Sequence, residues 1–435
     1  MATFISNPSP SPPAASRLQP AMDELADGRD PRLTAIAGMI DAGQRLTLDD
    51  GALLYNTPDI WGVCELAGRV RNRLHSDKTY YNINRHFNYS NVCALSCTFC
   101  EFYRKKGDAG AYEHSIEDAR RVAREAADAG ATELHIVGGL HPFLPFDYYT
   151  DMLSAMRQSA PRLHFKAFTA VEIVHLAKIA KVFKSADRKA GIRWVLEKLV
   201  AAGLGSLPGG GAEVFDDRVH DEAFKGKIRS DVWIDVHRTA HELGVNSNAT
   251  ILYGHIESRE DRLVHMDILR KAQDAALMRV GLSPDATGAV SFFASQDALA
   301  ALVGRTGFFQ AIIPLPFLPD GSALERLPGP SGLENLRTLA IARLMLDNFP
   351  HIKAFWIMQT LPMAQLMLAS GADDVDGTVV WYDITKVGGA STHQEKAVWD
   401  LKQAIREAGG APVERDTLYR TVERDGANWR VQPGG

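Results

Sequence analysis

Between Thr79 and Val380, short apolar runs alternate with amphipathic helical patterns, and this alternation restricts the fold more than any other feature of the sequence. The runs are TYYNINRHFNYSNVC, ELHIVGG, LHFKAFT, LGSLPGGGAE, NSNATILYG, FFQAIIPLPF (308–317), IKAFWI (352–357) and GTVV (377–380). Continuous apolar strands are buried on both faces, as in a parallel sheet covered by helices. The intervening patterns predict helices over Ser115–Ala129, Asp147–Gln158, Ile192–Ala202, Val232–Leu243, Arg259–Ala275, Gly332–Asp347 and Leu361–Ser370. Ser115 and Asp118 have capping-box spacing at the first of these. Roughly eight βα units predict an α/β fold, a (β/α)8 TIM-type barrel that is closed or nearly so. A doubly wound open sheet is the rival, but no GxGxxG follows the first strand. Polar and glycine-rich strings follow the strands (CALSC, GGLHP, TAVE, PGGGAE, GHIE, FLPDG), where barrel active sites lie.

The flanks fill out the chain. Residues 1–20 are rich in Pro and Ser and are predicted to be a disordered tail. Residues 21–78 form a helical lead-in, with Asp59 as N-cap of a helix that buries Cys64. The barrel spans 79–390, with a weakly patterned stretch at 277–307. Residues 391–435 hold a polar helix from about His393 to Ala408 and a charged tail. A length of 435 residues allows up to three domains, but the pattern reads as one barrel with extensions. Lys and Arg number 48 and Asp and Glu 53, so nothing suggests a nucleic-acid partner. No run of 18 apolar residues predicts a membrane span or a secretory leader, which leaves the cytoplasm as the expected compartment.

Four cysteines cannot staple a chain this long, and three of them fall within eight positions: Cys93-Ala-Leu-Ser-Cys97-Thr-Phe-Cys100. Clustered thiols in a reducing compartment are ligands or catalysts more often than bridges. Two centres compete. A structural zinc ion needs a fourth ligand, which Cys64, His75 or His86 would supply. A [4Fe–4S] cluster held by three cysteines leaves one iron open for a small molecule. The position of the loop, after the first barrel strand, favours the second.

The C-x3-C-x-Φ-C spacing, with Phe99 before the last cysteine, resembles the signature of the radical S-adenosylmethionine enzymes. The resemblance implies a three-cysteine [4Fe–4S] cluster on Cys93, Cys97 and Cys100, whose open iron chelates S-adenosylmethionine. It also implies roles for Gly138 and Gly139 beside the methionine amino group, for Gly254 in the adenine-contacting ILYGHIE segment, and for Phe99 near the adenine. Glu172 and Glu213 are expected on the cofactor side. The strings HIVGGLHPFLPFDYY, HFKAFTAVEI, LPGGGAEVF, NATILYGHIE and LMLDNFPHIKAFWIM are similar, more narrowly, to the aminofutalosine synthase family of the futalosine route to menaquinone. That likeness implies addition of a 5′-deoxyadenosyl radical to 3-[(1-carboxyvinyl)oxy]benzoate, S-adenosylmethionine being consumed as co-substrate.

Such a dicarboxylate aromatic substrate requires cations, and Lys166 and His141 are the candidates, with Arg85 and Arg104 as weaker ones and His255 as a proton-transfer group. A low-potential donor of flavodoxin or ferredoxin type is the implied protein partner. Relative to the family, 277–307 reads as a surface insertion carrying one amphipathic helix. The string WYDITKVGGAS departs from the family pattern in the eighth loop. Cyclases acting on dehypoxanthine futalosine, subunits that make the deazaflavin precursor FO, and a non-catalytic zinc-binding barrel stay open as alternatives.

Overall fold

The first predicted strand is broken at Ile83 into β1 (Lys78–Asn82) and β2 (Asn84–Phe87) in the structure, a computed structural model that describes residues 29–293, 296–379 and 395–432. From there β3 (Glu133–Ile136), β4 (His164–Ala167), β5 (Ser206–Leu207), β6 (Asn246–Tyr253), β7 (Phe309–Pro316) and β8 (His351–Ile352) join β2 in one parallel sheet, in chain order. An eighth position is filled by β9 (Asp374–Gly377), which pairs in parallel with β1. It meets the end of β8 only at the Lys353–Asp374 bridge. The strands thus curl into a nearly closed eight-stranded barrel.

The helices between strands follow from ordinary capping and patterning. Ser115 accepts from the Asp118 N–H and Asp118 from the Ser115 N–H, closing the capping box of Ile116–Asp128. Thr169 with Glu172, and Ser258 with Asp261, do the same for Ala170–Ile179 and Arg259–Arg279. Asp59 caps Ile60–His75 through the Gly62 N–H at 2.7 Å, and Cys64 is buried in that helix. Leu134, Phe165, Leu207, Ala249 and Ile312 are fully buried along the strands.

The strand seam at β8–β9 differs from expectation. IKAFWI is strand only through Ile352, and a helical turn begins at Trp356, whose indole N–H donates to the Gly377 carbonyl at 2.8 Å. The last barrel strand is Asp374–Gly377 rather than GTVV, upstream of the apolar run. Its acidic residues enter the interior because buried arginines neutralise them, which an apolar pattern cannot reveal. Arg415 donates to Asp374, and Arg343 and His351 reach Asp373. Asn84 completes the closure, accepting from the Val379 N–H at 2.7 Å and from the Thr378 hydroxyl at 2.9 Å.

The structure defines two further segments. The insertion forms only a short helix, Gln296–Ala300. Val290, Phe292, Leu302 and Phe308 pack there with Ala276 and Leu277 into a small satellite core. Leu299–Thr306 line a cavity at the amino ends of the strands, so these residues do not cap the carboxyl rim. The charged tail contains three short strands. After the helix Val398–Glu407, β10 (Ala411–Glu414) pairs with the outer side of β1. β11 (Val422–Asp425) and β12 (Asn428–Val431) then form a hairpin about Gly426-Ala427, with Gly426 at φ +59°. Asp-Gly between alternating residues was the available hairpin signal, masked by the density of charge. The predicted tail at 1–20 and the eighth-loop string at 381–391 lie outside the described residues.

Removing one member of a buried pair leaves an uncompensated charge, at about 3–5 kcal/mol. Arg415→Ala is therefore expected to lower urea stability by about that amount through Asp374. Arg430→Ala, whose pair with Glu423 is largely solvent-exposed, is expected to leave the urea midpoint unchanged within error.

Candidate active site

The loop after β2 carries the three cysteines, and backbone bonds pin it from several sides. The Cys93 N–H donates to the Arg104 carbonyl at 3.0 Å, Ala94 to Leu140 at 2.9 Å, and Cys100 to Cys97 at 3.1 Å. Thr98 reaches the Ala223 carbonyl through both its N–H and its hydroxyl. The Lys105 ammonium donates to the carbonyls of Cys93 and Leu95 at 3.0 and 2.8 Å, stapling the loop's first turn. Arg104 turns onto the carbonyls of Glu101 and Tyr103.

Cys93, Cys97 and Cys100 line a cavity of about 180 Å3. The opposite wall is built by the exits of the next strands: Gly138 and Gly139 after β3, Thr169 and Glu172 after β4, and Gly211 and Lys227 after β5. Four consecutive strands thus deliver their carboxyl ends to one hollow. Side chains cannot replace the glycine pair. A Cβ on Gly139 would lie 2.3 Å from the Val92 carbonyl oxygen, and one on Gly138 2.6 Å from the Tyr89 ring. The pair is bare so that the β3 exit can lie flat against the cysteine loop.

Glu172 organises this wall. One carboxylate oxygen accepts from the Tyr89 hydroxyl at 2.8 Å and the Gly138 N–H at 3.1 Å. The other accepts from the Thr169 N–H and hydroxyl at 2.7 and 2.8 Å. Burial nevertheless pushes its pKa up to about 7, against these donors. Glu172 therefore positions the glycine pair while capping its own helix.

Lys227 is the cation of the cavity, and the sequence reading missed it. It pairs with Glu213 and sits 4.7 Å above the Phe99 ring. Burial opposes its charge, but Glu213, Cys97 and Cys100 outweigh burial and raise its pKa. Burial pushes the Cys97 thiol up to about 11, with Lys227 acting the other way. Lys227 lies in a helix break, FKGKIR, where its only signal was a Gly-Lys step; Gly211 was visible only as part of a glycine run. Glu213 itself takes φ +47°, and its carbonyl accepts from the Leu252 N–H at 3.0 Å, tying the β5 exit to β6.

The remaining candidates do not line this cavity. Lys166 donates to Glu133 at 2.7 Å inside the barrel, both side chains being buried. Burial lowers the Lys166 pKa, with Glu133 acting the other way. His141 accepts from the Phe143 and Leu144 N–H groups at 3.2 and 3.1 Å, with its other ring nitrogen 2.9 Å from Glu113, so it braces the β3 exit loop. His255 faces the Leu252 carbonyl at 3.1 Å and Glu257 at 3.3 Å. Gly254, at φ +89°, gives its N–H to Glu257, which also accepts from Arg262 at 2.8 Å. A Cβ there would strike Pro330 at 2.5 Å.

The donor set discriminates between the two centres. Zinc–thiolate bonds of about 2.3 Å bring ligand sulfurs within about 4 Å of one another. Among the described residues, the only three metal-binding side chains with donor atoms mutually within 4.8 Å are His75, His351 and Asp373, at the opposite end of the barrel. The cysteines are spread more widely than one ion needs, and His75 and Cys64 are committed elsewhere. Three spaced thiols facing a glycine-lined hollow fit a larger inorganic centre with a small molecule beside it.

Comparisons agree with this geometry. Residues 87–269 match the model of the Radical SAM superfamily, and 305–426 match the CofH/MqnC C-terminal region. Aminodeoxyfutalosine synthase of Thermus thermophilus is 41% identical over 91% of this chain and 97% of that protein. The Streptomyces coelicolor enzyme of the same name is 39% identical over 88% and 92%. A 5-amino-6-(D-ribitylamino)uracil–L-tyrosine 4-hydroxyphenyl transferase of Methanopyrus kandleri is 34% identical over 93% and 97%. Among solved structures, methylornithine synthase superposes with TM-score 0.63 at 16% identity, covering 87% of this chain and 97% of that one, which supports the barrel fold.

The raised pKa of Glu172 carries a linkage consequence. Between its ordinary 4.5 and about 7 the folded chain holds a proton that the unfolded chain has lost. Stability from this group therefore falls as pH rises through that window, by up to about 1.4 kcal/mol per pH unit, and is level outside it. Urea titrations of metal-free protein from pH 5 to 8 are expected to show a shallower fall for Glu172→Gln than for the wild type.

Proposed function

As the chain belongs to the radical SAM superfamily, we propose that this enzyme is an aminodeoxyfutalosine synthase. With one water, it joins the 5′-deoxyadenosyl group of S-adenosylmethionine to 3-[(1-carboxyvinyl)oxy]benzoate, giving 6-amino-6-deoxyfutalosine, methionine, bicarbonate and a proton. The observation that carries the chemistry is the convergence of three spaced cysteines and a glycine pair on one cavity at the barrel's carboxyl rim. The choice of substrate rests on the higher identity to the synthases, 41% and 39%, than to the hydroxyphenyl transferase, 34%.

Cys93, Cys97 and Cys100 would hold a [4Fe–4S] cluster, which when bound supplies one low-potential electron and an iron site open to the methionine moiety. The chain's residues do the rest. Assembly displaces the Cys97 and Cys100 protons, and Lys227, held charged by Glu213, offsets the negative charge that collects there. Lys227 also presents a cation to the methionine carboxylate, and Gly138 and Gly139 let the ligand approach bare backbone. Phe99 offers its ring from the loop. Tyr89 and Glu172 keep this wall rigid, and the apolar lining keeps water from a reactive intermediate. A flavodoxin- or ferredoxin-type protein would donate the electron, in the reducing cytoplasm. No helix among the described residues is long and apolar enough to cross a membrane.

Anaerobic incubation of reconstituted protein with S-adenosylmethionine, reductant and the carboxyvinyloxy benzoate, followed by mass analysis, tests the reading. A new purine-containing adduct is expected; free 5′-deoxyadenosine with no adduct would favour a hydrogen-abstracting cyclase. Stoichiometric zinc, with no absorbance near about 400 nm after reconstitution, would remove the cluster itself. Lys227→Met is expected to raise the apparent KM for S-adenosylmethionine by about tenfold or more, the worth of one charge-assisted bond. An unchanged KM would assign Lys227 to the thiolates alone.

A further inference from the structure

A second and larger cavity, of about 490 Å3, lies at the amino ends of the barrel strands. Segments from outside the strand–helix alternation wall it. They are the end of the lead-in helix with the turn into β1, the insertion at Leu299–Thr306, and the Leu418–Arg420 turn between β10 and β11. Its volume is that of a small-molecule site.

The lining is one-sided in charge. Arg73, Lys78, Arg305 and Arg420 contribute, and no Asp or Glu does, in a chain of net charge −5. Arg73 and Arg420 are engaged by Asp41 and Asp416. Among the described residues Lys78 and Arg305 form no ion pair. The lining is also aromatic. His351 and Tyr419 lie parallel with centroids 3.6 Å apart, and Tyr80 stands edge-on to them at 5.2 and 5.9 Å.

Gln310 adds an independent sign. Ser247 pairs with Phe309 and Asn248 with Ala311, so Gln310 is the extra residue of a bulge in β7. Bulges re-aim side chains. Gln310 is 4% exposed and lines the cavity, yet among the described residues its amide has no hydrogen-bond partner. The amide opens on the cavity, where a ligand can replace water as its hydrogen-bond partner.

The nearby His75–His351–Asp373 group does not compete as a metal site. His75 already bonds the Pro350 carbonyl at 2.9 Å, and Asp373 already carries Arg343 and the Ile352 N–H. A cation there would meet a guanidinium.

We propose that this cavity binds a small planar aromatic anion, a carboxylate or phosphate ester carried on a ring. Lys78 and Arg305 neutralise the anion, Gln310 hydrogen-bonds it, and the Tyr80–His351–Tyr419 group packs against the ring. The site faces away from the cysteine cavity, and its existence does not depend on the reaction proposed above.

Calorimetric titration of the full-length protein at low salt with 2-naphthoate, adenosine 5′-monophosphate and inorganic phosphate tests it. At least one ring-bearing probe is expected to bind at one saturable site, weaken with added salt, and bind at least about tenfold more tightly than phosphate. The double variant Lys78→Ala/Arg305→Ala removes two unpaired surface cations and should fold normally by circular dichroism. It is expected to bind the same probe about tenfold more weakly or worse, and Gln310→Leu to weaken it as well. Absence of saturable binding by both ring-bearing probes, binding unchanged in the double variant, or phosphate binding as tightly as the tighter of the two ring-bearing probes would overturn the proposal.

Discussion

Asp373 and Asp374 sit where the barrel's last strand meets both of its neighbours, and each has a buried arginine against it. Arg343, with His351 and the Ile352 N–H, takes Asp373; Arg415 takes Asp374. Backbone pairing alone is thin at this seam, because β8 offers two residues to the ladder and β9 touches its extension through one bridge. Burial by itself would raise the pKa of Asp373, but the hydrogen bond to His351 and the charge of Arg343 hold it well below the carboxylate range. Closure of the barrel therefore rests on fixed charges in a dry interior, where losing either partner is expensive.

That closure matters at the other end of the strands. The cysteine cavity is assembled from the exits of β2, β3, β4 and β5, so its shape depends on the stagger of four neighbouring strands. Gly139 approaches the Val92 carbonyl with no room for a Cβ, and Glu172 ties the β4 exit to the β3 exit and to Tyr89 after β2. Lys227 and Glu213 bring the β5 exit into the same network. The site is rigid because each loop is bonded to the next.

Polar groups fill the interior below. Glu133 and Lys166 form a buried pair, and His86 and His135 lie with ring centroids 4.8 Å apart beside them. Lys166 reads as a substrate cation from sequence because it lies on a strand near the predicted rim. Its partner Glu133 stands on the adjacent strand two positions before the residue aligned with it, a relation only register creates. His141 and His255 read as candidates because they are titratable groups after strands, and each braces its own loop.

Much of this molecule was legible in the order of its residues. Strand and helix alternation follows from period and capping. The cysteine loop and the bare glycine pair follow from local spacing, and Cys64 follows from its place on an apolar helix face. These are local properties, carried by neighbours in the chain. What tertiary structure alone decided is which charges meet. The Asp-rich closing strand, the Lys227–Glu213 pair over Phe99, the neutralised Lys166 and the placement of Leu299–Thr306 beneath the barrel all join residues far apart in sequence. Burial reverses the usual expectation for a charge only when a partner arrives, and the partner's arrival is set by strand register and barrel closure.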